Sequence, residues 1–161
     1  MPQVAVFMGS LSDQDKMKPC AEILEELGIS YEFTVTSAHR TPERTQKLVQ
    51  DMEEQGCKVF ICAAGLAAHL AGVVASKTLK PVLGVPLAAS SLGGTDALFS
   101  TVQMPPGFPV GTLALDKIGA RNAAWLAAQI LALEDDDLRE RLEISRRQMR
   151  EKVERDAESL S

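Results

Sequence analysis

The residues best suited to chemistry in this chain are His39 and His69, its only two histidines. An unperturbed histidine exchanges protons readily near neutral pH. His39 is followed by Arg40, whose guanidinium can hold a phosphate through paired hydrogen bonds. This pair predicts a site that binds a small phosphorylated ligand and performs acid/base chemistry through His39. Exposed residues without a role are the alternative interpretation.

The pair lies in the segment from Ser37 and Ala38 to Pro42, one of three loops that could bind a ligand. Another is MGSLSD, which ends at Asp13. In it, Gly9 permits close approach of the backbone, while Ser10 and Ser12 offer hydroxyl groups. The helix that follows would present free amide hydrogens to an anion. The segment has no GxGxxG fingerprint and no Walker lysine, which disfavours dinucleotides and ATP. An ordinary capped helix start explains the same residues equally well.

The third loop, GLAAHLAG, is made mostly of small residues. Gly65, Ala67 and Ala68 would let the backbone pack closely against a flat ligand. His69 is flanked by apolar residues, a pattern more typical of a hydrogen-bonded core histidine than of a catalyst. The loop is therefore predicted to line a pocket, with the role of His69 left open.

Elements of two kinds alternate along the chain and must position these loops. Short apolar segments predict five strands, at Val4–Met8, Tyr31–Thr36, Lys58–Cys62, Pro81–Val85 and Val110–Leu115. Helical spacing predicts helices between Ser12 and Leu27, Thr41 and Gln55, Leu66 and Leu79, Asp96 and Val102, and Asn122 and Leu133. Thr41 is expected to cap the second helix, with Pro42 at its first position. Strands that are apolar throughout indicate an α/β fold with a parallel sheet, which binds ligands at the carboxyl ends of its strands.

The length of 161 residues and a hydrophobic content of 45% predict a single compact domain. We assign residues 1–133 to the α/β domain and the mostly charged residues 134–161 to a helical extension of it. The helix at 122–133 is apolar on nearly all sides and must be covered. A homo-oligomer is the expected means of covering it.

Composition excludes several classes of function. A net charge of -5 argues against nucleic-acid binding, which needs basic patches. The chain shows neither a signal-peptide pattern nor an apolar run of membrane-spanning length, so we expect a cytoplasmic protein without a membrane partner. Cys20, Cys57 and Cys62 lack the spacing of a zinc site, so buried free thiols and no metal are expected.

The motifs MGSLSD, SAHRTP and AAHL, followed by VQMPPGFPVGTLAL, closely resemble the N5-carboxyaminoimidazole ribonucleotide mutase family of de novo purine synthesis. The resemblance covers about Val4 to Leu133, and the motifs together are far more specific than any one of them. It implies a flavodoxin-like three-layer αβα sandwich with a five-stranded parallel sheet, to which the sequence adds a C-terminal helical arm. It further implies a homo-octamer with active sites at subunit contacts.

The resemblance also implies the chemistry. A carboxylate would move from the exocyclic nitrogen of an aminoimidazole ribonucleotide to a ring carbon, with no metal, biotin, ATP or other cofactor. His39 matches the histidine that shuttles the proton. Arg40 is assigned to the phosphate and Asp13 to the ribose hydroxyls. The other matched pocket residues are Ser10, Ser12, Ser37, Ala38, Gly65, Ala67, Ala68 and His69. An ATP-dependent synthetase that makes the unstable carbamate would be a functional partner.

Two alternatives remain open. A related branch carboxylates aminoimidazole ribonucleotide directly with carbon dioxide; Leu66 replaces a usual glycine and Ala71 a usual proline in the third loop, so its shape is open. A non-enzymatic flavodoxin-like module that binds a nucleotide or flavin would grip the ring system with the segment from Pro86 to Pro109. The few aromatic residues, one Trp, one Tyr and five Phe, argue against flavin stacking.

Overall fold

The computed structural model describes residues 1–160, in which strands and helices alternate along the chain. The strands are β1 (Val4–Met8), β2 (Tyr31–Val35), β3 (Val59–Gly65), β4 (Val82–Leu87) and β5 (Gly111–Thr112). The helices are α1 (Gln14–Glu26), α2 (Pro42–Glu54), α3 (Leu70–Ala75), α4 (Thr95–Val102), α5 (Asp116–Leu131) and α6 (Asp136–Glu158). A short 3-10 turn at Leu11–Asp13 leads into α1.

All strand pairs are parallel, and the sheet has the order β2-β1-β3-β4-β5. This is the strand order of flavodoxin-like doubly wound sheets, so the predicted fold class is confirmed. In the register of the sheet, Met8 pairs with Val35 on one side and with Ala63 on the other. The loops after β1, β2 and β3 consequently leave the sheet side by side.

Side-chain alternation along β1 explains why both faces of the sheet are covered. Val4 and Val6 belong to a buried cluster formed with α1 and α5. Ala5 and Phe7 belong to a second cluster formed with α2 and α3. A strand buried on both faces must be apolar at every position, which is why the segment VAVFM shows no polar alternation.

Helix α5 is covered largely by its own chain. Its buried residues include five alanines, Ala120, Ala123, Ala124, Ala127 and Ala128, which belong to the same cluster as α1 and the sheet. The helix begins at Asp116 rather than at the predicted Asn122 because Gly119, a poor helix former, obscures its first turn in the sequence. A Cβ on Gly119 would overlap the carbonyl group of Ala114. The alanine face therefore needs no second subunit.

The predicted C-terminal helical arm is confirmed as α6. Asp135 caps it by accepting the Leu138 N–H at 2.9 Å. Leu138 is buried and Leu142 packs against the core, whereas most of the helix is exposed and charged.

Three predicted bounds were wrong in ways that bear on the site. The third helix starts at Leu70 rather than Leu66, because Leu66 has φ +56°, outside the right-handed helical region. Strand β3 accordingly continues to Gly65. The edge strand β5 pairs with β4 only and comprises two residues instead of the predicted segment 110–115.

Within residues 1–160, no helix combines the length and apolar character needed to cross a membrane. The same part of the chain holds no group of three or more His, Cys, Asp or Glu side chains placed to bind a metal ion. Cys20, Cys57 and Cys62 are buried and free, and burial raises the pKa of Cys20 to about 12.

Candidate active site

A cavity of 590 Å³ opens where β1, β2 and β3 end. The structure brings together there all but one of the side chains predicted to form a site, namely Ser10, Ser12, Asp13, Ser37, Ala38, His39, Arg40, Gly65, Ala67 and His69. Ala68 differs, since it is 1% exposed and does not line the cavity. A run of small residues in a sequence does not reveal which member turns inward.

The first loop is held in shape by its own side chains. The Ser10 N–H donates to Asp13 Oδ2 at 3.0 Å, and the Ser12 N–H donates to Ser10 Oγ at 3.3 Å. These two bonds form a capping box around the 3-10 turn, so the loop is a capped helix start and also a wall of the cavity. The hydroxyl groups of Ser10 and Ser12 lie 2.9 Å apart at the rim.

Partial burial dominates the electrostatics of Asp13. It raises the pKa of the Asp13 carboxyl, while the bond from the Ser10 N–H and the charges of Lys16 and Arg40 lower it. Asp13 is thus an acidic group of the cavity that is less easily ionised than an exposed aspartate.

The second loop is closed by Thr41 rather than capped by it. Thr41 Oγ1 accepts the Ser37 N–H at 3.0 Å and donates to the Ser37 carbonyl at 3.1 Å, and it makes no bond to the helix that it precedes. The predicted capping role was therefore wrong, although Pro42 does occupy the first position of α2. The Thr41 hydroxyl serves a compact turn that displays the two residues before it.

Arg40 reaches from this turn across the cavity. Its backbone N–H donates to Ser37 Oγ at 3.1 Å, and its Nη2 donates to the Gly9 carbonyl at 3.3 Å. The guanidinium keeps further N–H groups for a ligand because it carries five. It also borders an adjoining cavity of 460 Å³, which Arg44 and the Ser10 and Ser37 loops line as well.

The two histidines meet in this site. His39 Nε2 lies 2.8 Å from His69 Nδ1, and the rings are nearly perpendicular, at 82° with centroids 4.9 Å apart. Both histidines are exposed at the cavity, so the interpretation of His69 as a core histidine was wrong. A hydrogen bond at this distance requires a hydrogen on one of the two facing nitrogens.

Lys16 and Asp116 fix the wall contributed by the segment after β4. Lys16 Nζ donates to the Ala88 carbonyl at 2.7 Å and to Asp116 Oδ1 at 2.8 Å, and the Ala88 N–H donates to the same Oδ1 at 2.9 Å. Ala89 follows directly, lines the cavity, and stands so close to Gly65 that a Cβ there would lie 2.6 Å from the Ala89 Cβ. Gly65 is therefore required by close approach of the backbone.

A protein-family model described as AIR carboxylase matches residues 3–152. The chain belongs to the AIR carboxylase family. Among the relatives of this family member, the Escherichia coli K12 protein named N5-carboxyaminoimidazole ribonucleotide mutase is 54% identical over 140 residues, which are 87% of this chain and 83% of the relative. The Pyrococcus horikoshii protein of the same name is 48% identical over 159 residues, which are 99% of this chain and 89% of the relative.

The fold of the AIR carboxylase family member is also that of a solved structure. The crystal structure of Treponema denticola PurE matches with a TM-score of 0.91 at 28% identity, covering all of this chain and 99% of the other. The similarity therefore extends over the whole α/β unit and α6.

Sequence reasoning missed two contributors to the site, Ala89 and Ser100. Leu66 lines the cavity and is 56% exposed, as expected for a loop predicted to line a pocket. Ala89 could have been found only from its place after a strand. Ser100 lies in the middle of α4, where a single serine gives no signal, yet its Oγ accepts the Ala68 N–H at 2.8 Å.

Proposed function

We propose that this protein is an N5-carboxyaminoimidazole ribonucleotide mutase of de novo purine (IMP) biosynthesis. It would convert N5-carboxyaminoimidazole ribonucleotide to 4-carboxy-5-aminoimidazole ribonucleotide without a cofactor. The observation that carries the proposal is the contact between His39 Nε2 and His69 Nδ1 in the cavity that also contains Arg40. Relatives with this name at 48% and 54% identity support it.

The chemistry needs one group that can give and take a proton. In the proposed sequence, protonated His39 donates its proton to the carbamate nitrogen, the N–C bond breaks, and carbon dioxide and the free amine remain in the cavity. The ring carbon then attacks the carbon dioxide and forms the new C–C bond. Neutral His39 removes the hydrogen from that carbon, which restores the aromatic ring and the starting state of the histidine.

The location of His39 suits this shuttle. It projects from a short turn that Thr41 closes, at the end of the edge strand β2, and the two Thr41–Ser37 bonds hold the backbone of this turn. The contact with His69 orients the ring and keeps a hydrogen between the two imidazoles. We assign proton transfer to His39 and orientation of its ring to His69.

The phosphate has a binding place of matching charge. Arg40 borders both cavities, and Arg44 adds a second guanidinium to the smaller one. We place the phosphate between these arginines and the hydroxyl groups of Ser10 and Ser37, with the imidazole ring in the larger cavity next to His39. Positive charge here lets a chain of net charge -5 bind an anion.

The remaining contacts follow from this pose. Asp13 lines the larger cavity next to Ser10 and would accept hydrogen bonds from the ribose hydroxyls, and Ser12 and Ala38 would border the sugar. Gly65 and Ala67 leave room for a flat ring against the backbone of the third loop. Ala68, which is buried, would hold this loop against the protein interior.

Three further features belong to the proposal. We infer a cytoplasmic homo-octamer, in which the exposed apolar residues Leu92, Phe99 and Ile118 are covered by neighbouring copies. We also infer dependence on an ATP-dependent synthetase, since the carbamate substrate is unstable and must be made nearby.

The decisive experiment compares two substrates with the purified protein. One reaction contains N5-carboxyaminoimidazole ribonucleotide, the other aminoimidazole ribonucleotide with excess bicarbonate, and formation of the carboxylated imidazole is followed in both. Rapid turnover of the carbamate and slow turnover of the mixture are expected. The reverse result would assign the protein to the direct carboxylases, and no product in either would contradict an enzymatic role.

A flavin-binding module has less support. No Phe, Tyr or Trp side chain is among the residues that line the 590 Å³ cavity, so a flavin ring would lack a stacking partner there. An absorbance spectrum of the purified protein is expected to lack the flavin band at about 450 nm, because ordinary side chains do not absorb at that wavelength.

A further inference from the structure

The loop that carries His69 is strained and has few bonds of its own. Leu66 opens it in the left-handed region, which is unfavourable for a branched side chain. Within the loop, the His69 N–H donates to the Ala67 carbonyl at 2.9 Å and closes only a tight turn. The helix that follows, α3, has six residues. The loop therefore needs support from outside to hold one conformation.

Ser100 on α4 gives that support at the centre of the loop. Its Oγ accepts the Ala68 N–H at 2.8 Å, and its own hydrogen points to the nearest acceptor, the Asp96 carbonyl at 2.7 Å. The Leu66 carbonyl lies 3.5 Å from the same oxygen. The hydroxyl thus connects a turn of α4 to the buried residue of the loop, and it also lies near the strained start of the loop.

The bond to Ala68 also restrains the backbone of His69. Ala68 is 1% exposed and precedes His69 directly, so fixing its N–H fixes the point from which the His69 side chain departs. His69 Nδ1 in turn lies 2.8 Å from His39 Nε2. We propose that Ser100 is a positioning residue, which holds the third loop so that His69 keeps the His39 ring in its reactive orientation.

A purely structural role would have a different pattern of bonds. The neighbouring Thr101 illustrates it: its Oγ1 donates to the Ala97 carbonyl at 2.7 Å inside α4, and no bond runs from it to the loop. Thr101 is 2% exposed, and its hydroxyl bonds only within the helix. Thr101→Val is therefore a matched control, because it removes the same kind of bond from the same helix.

The test measures both turnover and the histidine rings of the intact protein. This inference rests on the proposed function, so one readout must not depend on catalysis. Ser100→Ala is expected to lower kcat roughly ten- to a hundred-fold, as for a small misplacement of a reacting group, with KM changed less than about two-fold. Ser100→Thr, which retains the hydroxyl, should restore most of kcat, and Thr101→Val should leave it unchanged.

The second readout is nitrogen NMR of labelled histidine, which gives signals from two rings only. In the unaltered protein, the shifts of His39 Nε2 and His69 Nδ1 should show a shared hydrogen bond; Ser100→Ala should abolish it and Thr101→Val should not. If Ser100→Ala abolishes the bond but the unaltered protein turns over no carbamate, the mutase function is disproved and the positioning role of Ser100 stands. Unchanged rings, or an effect confined to KM, would overturn the positioning role.

A third measurement needs no variant, in case Ser100→Ala does not fold. The Ala68 amide should exchange its hydrogen much more slowly than the amides of exposed Leu66 and Ala67, since only the Ala68 N–H of these three is bonded to Ser100. Equal, rapid exchange at all three would contradict the proposal.

Discussion

Asp116 Oδ1 and Lys16 Nζ lie 2.8 Å apart although 100 residues of sequence separate them. Asp116 has φ +56°, a conformation in which aspartate is one of the few tolerated side chains. Its carboxylate joins the first turn of α5 to Lys16 on α1 and accepts the Ala88 N–H, while Lys16 Nζ donates to the Ala88 carbonyl. The pair therefore fixes the position of Ala89, which lines the cavity, relative to the first loop.

Lys16→Met is expected to lower the free energy of unfolding by about 1 to 2 kcal/mol, since it removes two short hydrogen bonds from a partly buried network. The value is moderated because both side chains remain about one third exposed. Urea unfolding monitored by circular dichroism would measure it.

The matched control is Lys18→Met on the same helix. Lys18 Nζ lies 3.8 Å from Glu22 Oε1, and both side chains are exposed. Its removal should change stability by less than about 0.5 kcal/mol. Equal effects of the two substitutions would mean that the Ala88 clamp contributes nothing.

Leu66→Gly should raise the free energy of unfolding by about 0.5 kcal/mol. Glycine removes the roughly 1 to 2 kcal/mol penalty of the left-handed conformation, but returns part of it as entropy of the unfolded chain. Thermal unfolding would measure the difference.

Gly65→Ala should instead lower the free energy of unfolding, because its new Cβ would lie 2.6 Å from the Ala89 Cβ. A Gly65→Ala protein of unchanged stability would refute the tight contact.

His39→Asn should abolish turnover while leaving the fold and substrate binding intact, since asparagine retains hydrogen-bonding groups but cannot shuttle a proton. The rate on the carbamate and calorimetric binding of the product would be compared. A folded variant that keeps a near-normal rate would remove His39 from its assigned role.

Arg40→Ala should weaken ligand binding by roughly 1.5 to 3 kcal/mol, the range for hydrogen bonds to a charged group. The dissociation constant of the product measures this, and Arg139→Ala on α6, which pairs with Asp136 far from the loops, is the control. Unchanged affinity in Arg40→Ala would exclude the phosphate contact.

Asp13→Asn should become increasingly stabilising relative to the unaltered protein as pH rises from about 3.5 to 7. The pKa of Asp13 is raised in the folded state, chiefly by burial. A carboxyl whose pKa is raised by folding stabilises the folded state at pH values below its unfolded pKa of 3.8. This contribution is lost as the pH rises through the pKa of the folded state. Unfolding free energies across this range would show it; a difference independent of pH would contradict the raised pKa.

The sheet and the place of the site could be predicted because they depend on patterns that extend over many residues. Val4–Met8 was identified correctly because a strand covered on both faces must be apolar throughout. Parallel order then places the ends of β1, β2 and β3 together, so the location of His39 and Asp13 at one edge follows from topology.

What could not be predicted depends on single atoms. The direction of the Thr41 hydroxyl, the inward turn of Ala68 and the bond from Ser100 each arise from tertiary contacts that leave no repeating pattern. His69 was misjudged for a related reason: its apolar neighbours pack into the core, whereas its ring is turned outward by the loop that Leu66 opens.

The residues assigned to the reaction and the residues that hold them in place lie in different parts of the sequence. The side chains to which we assign reaction and ligand binding, from Ser10 to His69, all precede α3, whereas Ala89, Ser100 and Asp116, which contact their loops, come later in the chain. During synthesis the reactive groups leave the ribosome before their supports exist. Substitutions at Ser100 or Asp116 are therefore expected to tune the speed of the proposed reaction without altering a residue that lines the cavity.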